Sequence, residues 1–127
     1  LNVPDIEATE ALALRGGLLV DVRTDDERAL SMLPGAIDQM TYEALPKAER
    51  QNAIIYCTIG VRSGEYVAEL AKEGIEASNL AGGLLSWTHA GGTMLHKGQA
   101  VDEAHVYGRR WNLLPKPYKA EWFWWVL

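Results

Sequence analysis

The chain has 127 residues, 48% of them hydrophobic and 23% charged, the profile of one globular domain with a core of its own rather than a disordered segment. Its formal net charge of −5 excludes broad nucleic-acid binding, which needs a basic footprint. No run approaches the roughly 20 apolar residues of a membrane span. The charge is uneven: residues 1–95 carry 7 Lys/Arg against 14 Asp/Glu, and residues 96–127 carry 5 against 3.

In chain order, Leu1 to Val3 reads as a short opening strand. Pro4 starts a helix, because its missing N–H costs nothing at a first helical position. Ile6, Ala8, Ala11, Leu12 and Leu14 supply the apolar face, and Gly16-Gly17 ends it. Leu18-Leu19-Val20 is a buried parallel strand, with Asp21-Val22-Arg23 at its end. Thr24-Asp25-Asp26-Glu27 is a capping box that opens a helix to about Met32. Pro34-Gly35 is a turn, Ala36-Ile37 a short strand, and Tyr42 to Leu45 one helical turn before Pro46.

Ala53-Ile54-Ile55-Tyr56 is the second buried strand, and Cys57 follows it directly. Residues 58–62 form a loop, and Ser63 to Lys72 a helix that buries Tyr66, Val67 and Leu70 and stops at Gly74. Ile75 to Leu80 is a further strand, Gly82-Gly83 a turn, and Leu84 to Ala90 a helix with Trp87 inward. This alternation implies an α/β domain over residues 1–92 with a mostly parallel sheet. Residues 93–127 hold four of the five Trp with poor periodicity, and read as an irregular aromatic extension packed on the domain or on a partner.

Cys57 is the only cysteine. It excludes an intrachain disulfide and fits a reducing compartment such as the cytoplasm; an organelle stays open if a targeting peptide was removed ahead of Leu1. A lone cysteine after a buried strand is usually a small core hydrophobe, and the loop that follows argues otherwise here. Thr58, Ile59, Gly60, Val61, Arg62 and Ser63 join the end of a strand to the start of a helix. Such a loop can turn its N–H groups toward the sulfur, and the helix adds the positive end of its dipole. Gly60 permits a backbone angle that other residues resist, and Arg62 adds a fixed charge. The set suits an anion-binding nest that stabilises a thiolate or a persulfide anion without a histidine base.

The segments Asp21-Val22-Arg23, Pro34-Gly35-Ala36, Tyr56 to Ser63 and Gly82-Gly83-Leu84-Leu85-Ser86-Trp87 resemble, in order, the motifs of the single-domain rhodanese-like sulfurtransferase family over residues 1–92. The resemblance implies a five-stranded, mostly parallel sheet flanked by helices. It implies transfer of sulfane sulfur from thiosulfate or a persulfide to a thiol or cyanide through a Cys57 persulfide. It places Asp21 and Arg23 as braces of the active loop, and Arg62 where a cation favours an anionic donor. Four residues separate Cys57 from Arg62; the related phosphatases and arsenate reductases have five, a wider cradle that suits a tetrahedral phosphate. One departure is that Ser31-Met32-Leu33 precede Pro34, where the family often has Gly-His, and this reads as a tolerated surface change.

No cofactor is implied. His89, His96 and His105 lack metal-ligand spacing, and Gly82-Gly83 is not followed by the Lys-Ser/Thr of a phosphate loop. Trp122, Phe123, Trp124 and Trp125 pack on the body or in a dimer, or form a docking patch for a partner or a membrane surface. In the competing reading the domain is a docking or sensing module within a larger protein or complex.

Overall fold

The computed structural model of the chain describes residues 3–14, 17–96, 99–101, 103–106 and 119–122. Five parallel strands form the central sheet: β1 (Asp5–Ile6), β2 (Leu19–Asp21), β3 (Ile37–Asp38), β4 (Ala53–Tyr56) and β5 (Ala77–Leu80). Their order is β1-β5-β4-β2-β3, so β4 lies at the centre between β5 and β2. The helices are α1 (Ala8–Ala13), α2 (Asp25–Leu30), α3 (Gln39–Glu43), α4 (Val61–Lys72) and α5 (Gly83–His89), with a 3-10 turn at Lys47–Arg50.

All four residues of β4 are buried, as a strand covered on both faces requires. The two-residue period of the strand divides them between two core layers. Ile54 and Tyr56 pack with Ala8 and Ala11 of α1 and with Leu84 and Trp87 of α5. Ala53 and Ile55 pack with Tyr42 of α3 and with Val67 and Leu70 of α4. Met94 is fully buried and joins the first layer, so the core reaches past the compositional boundary at residue 92. Beyond it, β6 (Met94–His96) pairs antiparallel with β7 (Gln99–Val101), and β8 (Glu103–Val106) pairs parallel with β9 (Lys119–Trp122).

Several boundaries differ from the sequence reading. The opening strand lies at Asp5–Ile6 rather than Leu1 to Val3, because Asp5 and Ile6 are the residues in register with Asn79 and Leu80. Helix α1 therefore starts at Ala8 and not at Pro4, and it ends at Ala13 with Leu14 in extended backbone. Leu1, Asn2 and Gly16 lie outside the described residues. Helix α2 ends at Leu30, short of Met32, where Ser31 becomes extended. Helix α3 spans Gln39–Glu43 because Asp38 caps it by accepting the Thr41 N–H, so the turn expected at Tyr42 to Leu45 is displaced toward the N-terminus. Helix α4 begins at Val61, two residues early, because Gly60 in the left-handed region already closes its entry. Strand β5 is trimmed to Ala77–Leu80, and α5 starts at Gly83.

Candidate active site

The carboxyl ends of the strands in an open parallel sheet are where ligands bind, and β4 and its neighbour β2 end side by side. Asp21 is in register with Tyr56, and the Val22 N–H donates to the Tyr56 carbonyl at 3.1 Å. Cys57 follows, 1% exposed.

Around the sulfur, the Gly60 N–H donates to Cys57 Sγ at 3.1 Å. Gly60 has a φ of 101°, a conformation that a side chain would strain, and it turns the chain so that this N–H faces the sulfur as α4 begins. Ser63 Oγ lies 3.3 Å from Sγ and donates to Asn79 Oδ1 of β5. Asn79 Nδ2 in turn donates to Asp5 at 3.1 Å. The sulfur thus sits at the head of a polar chain that crosses three elements: α4, β5 and β1.

The loop is held from below by α5. The Leu84 N–H donates to the Cys57 carbonyl at 3.0 Å, and the Leu85 N–H to the Thr58 carbonyl at 3.3 Å. Gly83 makes this approach possible, because a Cβ there would stand 2.4 Å from the Cys57 oxygen. Gly82-Gly83 is therefore the seat of the loop as well as a turn.

Asp21 and Arg23 form a fully buried ion pair at 2.8 Å. Burial opposes the Arg23 charge, but the field and hydrogen bonds of Asp21 outweigh it and raise the guanidinium above its ordinary value. The pair does not reach the loop through hydrogen bonds of its own. Asp21 accepts the Tyr56 hydroxyl at 2.8 Å, and that hydroxyl accepts the Leu33 N–H at 3.2 Å. Arg23 donates to the Ser31 carbonyl and lies 5.8 Å from the Tyr56 ring centre. The contact with the loop thus passes through Tyr56, the residue before Cys57. Ser31 and Leu33 are buried, so the segment read as a surface change supplies inner-wall partners, the Ser31 carbonyl for Arg23 and the Leu33 N–H for the Tyr56 hydroxyl.

Arg62 is also placed differently from the sequence reading. It belongs to the first turn of α4 rather than to the loop's last position, and its guanidinium forks onto Glu27 at 2.9 and 3.0 Å. Glu27, read from sequence only as the far end of a capping box, does complete that box with Thr24, and it also accepts the Thr58 hydroxyl at 3.2 Å. Nothing in the local pattern around Glu27 announces partners 31 and 35 residues away. Asn79 had no signal beyond being a polar residue in a buried strand. Ile59 is half-buried and Val61 exposed. Among the described residues, no group of His, Cys, Asp and Glu could hold a metal ion, and no helix is long and apolar enough to cross a membrane. The side chain of Trp122 and the residues Phe123, Trp124 and Trp125 lie outside what is described.

The rhodanese-like domain family matches residues 7–90. The chain belongs to that family. The rhodanese-like region is 35% identical over 80 residues to a sulfurtransferase of Allochromatium vinosum, covering 58% of this chain and 74% of that protein. A thiosulfate sulfurtransferase from Pseudomonas aeruginosa superposes with a TM-score of 0.63 at 26% identity, over 76% of this chain and 21% of that longer one. A rhodanese-related protein from Thermoplasma volcanium shares the fold at a TM-score of 0.65 and 20% identity, over 74% of this chain and 99% of that one. The family and its sulfurtransferase relatives support a sulfurtransferase-type enzyme.

Proposed function

We propose that this rhodanese-like chain moves sulfane sulfur through a persulfide on Cys57. The observation that carries the reading is the seat of the Cys57 sulfur, at the end of the central strand with the Gly60 N–H directed at it. An N–H fixed in that position favours negative charge on sulfur, whether on the thiolate or on the outer atom of a persulfide. Cys57 is buried, so a donor must offer a protruding terminal atom, as thiosulfate and persulfides do.

In the first half-reaction the Cys57 thiolate attacks the outer sulfur of the donor. The new S–S bond forms as the donor's own bond breaks, and sulfite or a thiolate leaves with the electron pair. In the second, an acceptor thiolate or cyanide attacks the same sulfur and returns Cys57 as thiolate. With one cysteine in the chain, no internal thiol can resolve the persulfide, and the sulfur passes to another molecule. Initial rates with donor and acceptor both varied should give the parallel lines of a ping-pong scheme, with no turnover in Cys57→Ser. Intersecting lines, or turnover that survives in Cys57→Ser, would rule out a sulfur carried on Cys57.

A further inference from the structure

The hydrogen bonds that run from Cys57 to the edge of the sheet have a direction, and Asp5 sets it. Asp5 is exposed at the start of β1. It is in register with Asn79 of β5, whose N–H donates to the Pro4 carbonyl at 2.8 Å. The pairing brings the two side chains together, and Asn79 Nδ2 donates to Asp5 Oδ1 at 3.1 Å. A carboxylate only accepts, so the amide turns its nitrogen toward Asp5 and its oxygen the other way. That oxygen meets the fully buried Ser63 and takes its hydroxyl proton. A hydroxyl has one proton to give. With it committed to Asn79, Ser63 presents lone pairs to Cys57 Sγ, 3.3 Å away.

The amide has little other freedom. Asn79 is buried, and its Nδ2 lies so near two glycines that a Cβ on Gly60 or Gly64 would stand 3.5 or 3.6 Å from it. Held there, the side chain keeps one choice, which end of the amide faces Ser63. Its oxygen makes Ser63 an acceptor at the sulfur, which suits the S–H of a neutral thiol. Its nitrogen would release the hydroxyl proton toward the sulfur and suit the anion. The Gly60 N–H favours the anion in both cases, so the end of Asn79 that faces Ser63 tips the balance.

We infer that Asp5 is a positioning residue that acts on Cys57 through Asn79 and Ser63: by fixing the direction of this relay, it holds the resting sulfur as a thiol and restrains the thiolate. The thiolate forms when Ser63 turns its proton from Asn79 to the sulfur and the sulfur's own proton leaves to solvent. The consequence for sulfur loading rests on the sulfur-carrier reading of Cys57; the effect on the thiol does not.

The test is the rate of alkylation of Cys57 by iodoacetamide across pH in the wild-type chain, Asp5→Asn, Ser63→Ala and the double variant. Cys57 is the one cysteine, so the reaction reads a single thiol. Asparagine matches the shape of Asp5 but donates as well as accepts, which lets the Asn79 amide turn round. The β1–β5 pairing runs through the backbone, so Asp5→Asn leaves it in place. The midpoint of the profile should move to lower pH in Asp5→Asn, with alkylation about fivefold faster below the midpoint and unchanged on the plateau above it. Ser63→Ala cuts the relay, and adding Asp5→Asn to it should change the rate by less than about twofold. The charged groups packed near the loop from other elements, Glu27, Arg62, Asp21 and Arg23, are the same in all four proteins, so the comparison cancels them. The ultraviolet absorbance of the thiolate, titrated over the same range, reads the same midpoint without requiring a reagent to reach the buried sulfur. An Asp5→Asn profile that stays in place or moves to higher pH overturns the inference. So does a shift that survives in Ser63→Ala, which would be the lost charge acting through space. A chain that alkylates as expected but takes up no sulfur from any donor would instead overturn the reading of Cys57 as a carrier.

Discussion

Ser63 places its hydroxyl oxygen 3.3 Å from the Cys57 sulfur while donating its one proton to Asn79. One hydroxyl proton cannot serve both partners. With the proton on Asn79, Ser63 accepts from a Cys57 thiol; turned toward the sulfur, the same proton supports the anion. Ser63→Ala should therefore slow persulfide loading by about tenfold, the worth of one charge-assisted hydrogen bond. Single-turnover loading followed by mass checks this, with a melting curve to show that the fold is kept. An unchanged rate would remove Ser63 from the sulfur's environment.

Gly83 governs the same site through the backbone. It has a φ of 57°, and its Cβ position lies 2.4 Å from the Cys57 carbonyl oxygen and 2.5 Å from that of Thr58. Gly83→Ala should lose about 1–3 kcal/mol from backbone strain alone, and more from the overlap. The loss of loading should exceed what the fall in stability explains, because the clash falls on Cys57 and Thr58. Urea unfolding and the loading rate of the folded fraction separate the two effects.

The two ion pairs near α2 should behave oppositely. Asp21→Ala leaves the buried Arg23 guanidinium without its partner and should cost about 3–5 kcal/mol. Asp25, 94% exposed in its side chain, pairs with Arg28 at the surface, and Asp25→Ala should cost at most about 1 kcal/mol. Chemical denaturation of both variants in one buffer tests the contrast.

Tyr56 and Tyr66 set the alkaline limit of stability. Burial pushes the Tyr56 phenol well above its ordinary value of 10.0, the negative charge of Asp21 adds to the rise, and Arg23 opposes it. Tyr66 is raised by burial and then by its hydrogen bond to Glu43. The unfolded chain ionises these phenols near their ordinary value while the folded chain keeps both protons. Their contribution is thus intact below about pH 10 and is lost as pH rises above it. Stability measured from pH 8 to 11 should fall more gently in Tyr66→Phe than in the wild-type chain. Tyr56→Phe should also cost about 1–3 kcal/mol at neutral pH, by leaving the Leu33 N–H unpaired and taking one hydrogen bond from the Asp21 carboxylate, which keeps those from Arg23.

What could be read in the sequence was local. Ala53 to Tyr56 is apolar throughout because β4 is covered on both faces, and Cys57 follows it, so the strand and the place of Cys57 at its carboxyl end were both visible. The Thr24–Glu27 capping box closes within four residues and was visible for the same reason. The second role of Glu27 depends on the β2–β4 pairing that brings α2 beside the Cys57 loop, and no spacing rule reports it. Asn79 faces Ser63 only because β5 lies next to β4. Arg62 was misplaced because Gly60 starts α4 earlier than the apolar pattern suggested, which turns the guanidinium toward Glu27. Ser31 and Leu33 were misjudged because their burial follows from Arg23 and Tyr56, whose partners are set by the sheet.

The central claim is that sulfur rides on Cys57, and the intact mass of the chain after exposure to a sulfur donor tests it most directly. The wild-type chain, treated with a persulfide or thiosulfate and desalted, should gain the mass of one sulfur atom and lose it again on addition of cyanide or a thiol. Cys57→Ser should gain nothing. No added sulfur on the wild-type chain, or equal addition to Cys57→Ser, would contradict the account.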